Sequence, residues 1–98
     1  MQTRDRHFIG GEWVAPSSTE TIDVISPSTE EVIARVPAAK AADIDRAVKA
    51  ARAAFDTGPW PRMTVAERVD WMRKLSQGLQ ARMNDVALAV TTEMGCPI

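Results

Sequence analysis

The sequence predicts an α+β chain in which two short β-hairpins precede three amphipathic helices. Three observations carry this. The segment before Ala38 alternates apolar and polar side chains around two turn sequences, Gly10-Gly11 and Ser26-Pro27-Ser28-Thr29-Glu30. From Ala41 onward the apolar period changes from two to about 3.6. Thr64-Val65-Ala66-Glu67 then has the form of a capping box, a threonine followed by glutamate at the third helical position.

Taken in order, "HFIGGEWV" reads as the first hairpin. Both glycines can take positive φ, as a two-residue type I′ turn requires, and that register sets Phe8 opposite Trp13. Pro16-Ser17-Ser18 breaks the strand. The second hairpin pairs Ile22 and Val24, alternating with Thr21, Asp23 and Ile25, with a strand in which Val32, Ala34 and Val36 alternate with Ile33 and Arg35. Pro27 presets φ in the turn and Pro37 ends the strand. Between Ala41 and about Phe55, Ile44, Ala47, Val48, Ala51 and Phe55 fall on one helical stripe, and Gly58-Pro59 stops the helix. Val65, Val69, Met72, Leu75, Leu79 and Met83 form the stripe of the second helix, which Gly78 weakens. Asn84 reads as the N-cap of a third helix with Val86, Ala87, Val90 and Met94 as its apolar positions and Gly95 just past its end.

Composition bounds the function. Ninety-eight residues make one domain at most. Fifteen of the hydrophobic residues are alanine, which favours helix and buries little area, so the core this chain builds alone is thin. The net charge of −1, with basic and acidic residues interleaved, argues against a nucleic-acid binder. One cysteine and one histidine exclude an internal disulfide and do not readily furnish a four-ligand zinc site. No apolar run reaches membrane-spanning length, and the polar residues 1–6 lack the apolar core of a signal peptide, so a cytoplasmic location is expected.

Candidates for chemistry are few. Cys96 follows a helix C-terminus, where the dipole disfavours a thiolate, and the last four residues contain no base or cation; it reads as a small residue beside a helix end. His7 at a strand start reads as a solvated edge residue. The glycines form neither GxGxxG nor GxxxxGK[ST], and GxSxG and HExxH are absent. Trp71, Met72 and Met83 read as core or interface rather than a cofactor box. Glu93 is the one acid that stands out, because it lies where the helix dipole disfavours negative charge; with exposed carbonyls it could hold a hard cation.

Four stretches in order resemble the N-terminal segment of the aldehyde dehydrogenase superfamily. "HFIGGEWV" resembles its opening FIxGxW hairpin, and "VISPSTEEVIARVP" its N-P-x-T-G-E-x-I strand pair. "ADIDRAVKAARAAFDTGPWPRMTVAERVDWMRKL" resembles the helix–loop–helix that follows, including A-x-x-A-F, the Trp and the Arg before the second helix. "TTEMGCPI" resembles E-x-G-K-P. Ser26 stands for the usual Asn, Glu30 for the turn Gly, Lys40 for a Ser, Thr or Asp N-cap, and Cys96 for a common Lys.

The resemblance implies that residues 1–6 are a polar tail and residues 7–98 an incomplete N-terminal part of a cofactor-binding domain, the outer layer of an α/β fold built mostly from later sequence. It implies a parent enzyme that oxidises an aldehyde to a carboxylic acid with NAD or NADP, through a cysteine nucleophile and a glutamate-activated water. Those groups and the nucleotide-phosphate loop lie downstream of this segment in the family, so no catalytic and no cofactor-binding residue is expected in it, and the chain alone, read as a truncated enzyme, is expected to be inactive. It also implies part of a structural Na⁺ or K⁺ site, with the backbone carbonyls of Val24 and Ile25 and the carboxylate of Glu93 as ligands. The expected partners are a second copy in a homo-oligomer or the remainder of the enzyme, with no nucleic acid and no membrane. A rival reading is a non-enzymatic association module that buries its helix faces in an oligomer.

Overall fold

A computed structural model describes residues 3–98. The chain forms β1 (His7–Ile9), β2 (Glu12–Val14), β3 (Thr21–Ile25), β4 (Val32–Pro37), α1 (Ala41–Thr57), α2 (Val65–Ala81) and α3 (Met83–Met94), with a 3₁₀ turn at Trp60–Arg62 between α1 and α2. The two hairpins are separate antiparallel pairs, β1 with β2 and β3 with β4.

The first hairpin has the expected register. Phe8 faces Trp13, His7 faces Val14 and Ile9 faces Glu12. Gly10 and Gly11 carry φ of 64° and 83°, so the turn uses the left-handed backbone that glycine adopts without a Cβ penalty. The Phe8 and Trp13 rings stack at a tilt with centroids 5.1 Å apart, and the guanidinium of Arg4 lies over Trp13. Part of the polar N-terminal stretch is thereby tied down. The Arg4 amide donates to the Arg35 carbonyl, and the Arg35 amide donates to Thr3 Oγ1. Residues 1 and 2 lie outside the described residues.

The second hairpin departs from strict alternation at one point. Val24 pairs with Ala34 but Ile25 pairs with Val32, which leaves Ile33 as an extra residue on β4. The bulge turns both Ile33 and Ala34 away from solvent and leaves Val32 exposed. Ser26 closes the turn: its amide donates to the Glu31 carbonyl, its carbonyl accepts from the Glu30 amide, and its hydroxyl lies 3.4 Å from the Thr29 amide. The hydroxyl thus takes the place of an asparagine side-chain acceptor, while the other two bonds come from the Ser26 backbone. Glu30 sits at φ 61°, in the left-handed region that its replacement of glycine makes strained.

Helix α1 begins at Ala41 with Lys40 as its N-cap. A lysine ammonium has no acceptor, so only half of a capping box forms: the Asp43 carboxylate accepts from the Lys40 amide at 2.9 Å. The helix ends at Gly58, where a Cβ would lie 2.1 Å from the Ala54 carbonyl oxygen, so only glycine fits. Arg62 donates to the Gly58 carbonyl at 2.7 Å and also to the Asp56 carbonyl, which pins the loop to the helix end. Helix α2 carries the complete box predicted for it: the Thr64 amide donates to Glu67 Oε2 at 2.8 Å, and the Glu67 amide donates to Thr64 Oγ1 at 3.2 Å.

The α2–α3 junction differs from expectation. Asn84 is not an N-cap. Arg82 is at once the C-cap of α2 and the N-cap of α3, with φ −116° and ψ 23°, and Asn84 lies within the first turn of α3. A single distorted residue replaces a loop because the carbonyls of Leu79 and Gln80 both accept from the Arg82 amide, while the Arg82 carbonyl accepts from Val86. Gly95 ends α3 in the left-handed conformation, φ 75°, as expected.

The stripe of α1 divides by residue size. Against the first hairpin the helix turns its small side: Asp43 is buried, and Ala47 and Ala50 are half-buried. The Ala50 methyl lies 3.7 Å from where a Cβ of Gly10 would stand. Small residues on both sides let the hairpin backbone approach the helix. The bulky stripe of Ile44, Val48 and Phe55 points elsewhere and is more than half exposed.

These elements form a layer. The molecule measures 47 × 35 × 15 Å, with a radius of gyration of 17.0 Å against about 13 Å for a compact domain of ~100 residues. Its accessible surface is 7810 Å², against about 5,500 Å² for a compact monomer of this mass. Among the described residues Ala34 is the single buried hydrophobic residue, while Phe8, Trp13, Phe55, Leu75, Leu79 and Met94 are among the large apolar side chains left open. The layer has no closed core of its own.

Candidate functional site

The most completely built polar site lies where the first hairpin, the loop after it and the start of α1 meet. Asp43 is 2% exposed. Its Oδ1 accepts from the Ser17 amide at 3.0 Å; its Oδ2 accepts from Ser17 Oγ at 2.7 Å and from the Lys40 amide at 2.9 Å. The side chain at the third position of α1 therefore fastens the 15–20 loop onto the helix N-terminus, where the dipole also favours its charge. The Lys40 amide bond is the largest influence holding the Asp43 carboxyl below the ordinary aspartate value; the Ser17 hydroxyl comes next, and both outweigh the opposing effect of burial.

His7 belongs to this site and is not a solvated edge residue. Its side chain is 18% exposed, and Nε2 lies 3.8 Å from Asp43 Oδ2, buried and without a hydrogen-bond partner among the described residues. Strand β1 lies against α1, so the histidine at its start is directed at the helix N-terminus rather than at water. Lys40 and Glu20 form an ion pair at the rim. Asp43 was not singled out from the sequence. The available signal was the K-A-A-D spacing at a helix start, which has an acid at the third helical position but lacks the Ser or Thr that marks a full box.

Serine, aspartate and histidine meet in this site, but not in the order that activates a nucleophile. Nucleophilic catalysis needs the hydroxyl bonded to the base, with the acid orienting that base. Ser17 instead donates to the carboxylate, and among the described residues no hydrogen bond joins Ser17 to His7. Asp43 accepts three hydrogen bonds from the loop and the helix start, so it acts as a fastening point.

The second candidate region surrounds the end of α3. Glu93 is exposed, and Cys96 is a free, exposed thiol just beyond the left-handed Gly95. A Cβ on Gly95 would stand 3.1 Å from Pro27 Cγ, so the helix end rests on the β3–β4 turn, two residues beyond Ile25. The fold thus brings the element carrying Glu93 beside the end of the strand carrying Val24 and Ile25. Among the described residues no group of three or more His, Cys, Asp or Glu side chains is placed to hold a metal ion.

The third region is an apolar groove of about 390 Å³ between α2 and α3, lined by Met72, Leu75, Leu79, Met83 and Val86 with Ser76 and Gln80. It is the predicted second-helix stripe, running into the first turns of α3. No helix among the described residues is long and apolar enough to cross a membrane.

Comparison with known proteins gives one consistent answer. The sequence pattern of the aldehyde dehydrogenase family matches residues 13–98. The 2-hydroxymuconic semialdehyde dehydrogenase of Pseudomonas putida is 45% identical over 80 residues, covering 82% of this chain and 16% of that protein. The crystal structure of the Mycobacterium tuberculosis aldehyde dehydrogenase complexed with NAD⁺ superposes with a TM-score of 0.91 at 42% identity, over 98% of this chain and 20% of that one. The NAD-dependent aldehyde dehydrogenase of Sinorhizobium meliloti superposes with a TM-score of 0.89 at 42% identity, over 99% of this chain and 20% of that one. The chain spans about a fifth of the length of the relatives it matches. The paired hairpins, the capped helices and the open layer are the N-terminal part of that architecture, and the chain belongs to the aldehyde dehydrogenase family.

Proposed function

We propose that residues 7–98 serve as the N-terminal part of the cofactor-binding domain of an NAD(P)-dependent aldehyde dehydrogenase, the complete enzyme oxidising an aldehyde to a carboxylic acid. The observation that carries this is the superposition of almost the whole chain on a family structure that binds NAD⁺. The residues of this segment do not fit a dinucleotide by themselves. A pyrophosphate cradle needs glycines where a strand opens into a helix. The glycines of this chain instead make a hairpin turn (Gly10, Gly11), a helix stop (Gly58), a helix-interior position (Gly78) and a C-cap (Gly95). Cys96, the sole thiol, sits at the negative end of a helix dipole, the wrong place for an activated nucleophile. No chemical step is therefore assigned to these residues; the segment supplies a structural layer, and the 98-residue chain alone is inactive. Purified chain mixed with a panel of short aldehydes and either NAD⁺ or NADP⁺ is expected to show no absorbance change from the reduced nucleotide. Aldehyde-dependent reduction by the pure chain would overturn this reading.

The same reading gives Val24, Ile25 and Glu93 a role as part of a Na⁺ or K⁺ site, supported by the contact of Gly95 with Pro27. Replacing tetramethylammonium by Na⁺ or K⁺ should raise the melting temperature, and Glu93→Gln should remove the rise; equal melting in all three salts would contradict the site. Its partners are a second copy in a homo-oligomer or polypeptide that supplies the rest of the fold, in the cytoplasm. A second reading, a non-enzymatic association module, is favoured by the exposed stripe of α2. A monodisperse, folded monomer in light scattering would count against such a module.

A further inference from the structure

We draw no further inference here: the strongest candidate, the apolar groove that Met72, Leu75, Leu79, Met83 and Val86 line between α2 and α3, is an unpartnered helix face, and nothing in the structure shows what covers it.

Discussion

Asp43 combines a charge, near-complete burial and three accepted hydrogen bonds, and its replacement has a predictable pH signature. Its folded-state carboxyl titrates below the ordinary aspartate value, so its stabilising contribution is complete above about pH 4 and is lost as pH falls through the lower folded value. Asp43→Asn removes the charge and turns an amide NH₂ toward donors. The urea midpoint should therefore drop at neutral pH, and the gap to the wild type should close on acidification; a gap independent of pH would contradict the role. Glu30 offers a test of opposite sign. Its left-handed backbone costs an L-residue about 1–2 kcal/mol, and glycine's greater freedom in the unfolded chain returns part of that. Glu30→Gly should stabilise the fold by about 1 kcal/mol in thermal or urea unfolding. The strain at Glu30 was legible as a departure from a glycine position. The burial of Asp43 and His7 was not, because Ser17 and His7 reach Asp43 across 26 and 36 residues of chain.

At the scale of elements, local chemistry and helix position agree best where a cap is complete. Thr64 and Glu67 satisfy each other's amides at the start of α2, and Thr64→Ala should cost about 1 kcal/mol. Within the same helix Gly78 has open space around the place a Cβ would take, so Gly78→Ala should stabilise by about 1 kcal/mol. Circular dichroism during urea unfolding reads both, and a neutral outcome for both would mean that α2 is not formed in the isolated chain. The boundary between α2 and α3 escaped local reading. Asn84 has the chemistry of a cap, yet the chain reverses at Arg82 with almost no loop, so Asn84 is drawn into the helix. The side of α1 that touches the first hairpin escaped it too. Periodicity puts Ala47 on one stripe with Ile44, Val48 and Phe55, whereas the contact made within this chain uses Ala47 and Ala50, where glycine and alanine allow the backbones to approach.

At the scale of the whole molecule, the exposed stripes and the flat shape are one fact. A layer 15 Å thick has room for one depth of helix or hairpin and cannot enclose side chains on both faces. In dilute solution small-angle X-ray scattering should give a radius of gyration near 17.0 Å for the folded monomer, and a value near 13 Å, that of a compact domain of ~100 residues, would show that the chain closes on itself. The sequence by itself determined the order of the elements, the register of the first hairpin, the stops of α1 and α3 and the family, because these depend on turn geometry, caps and spacing between near neighbours. The tertiary structure alone decided that Asp43 and His7 are covered, that α1 offers alanines rather than its bulky stripe to the hairpin, and that the end of α3 rests on the β3–β4 turn. Those outcomes depend on which distant segments meet, and no local pattern of residues encodes a meeting of that kind.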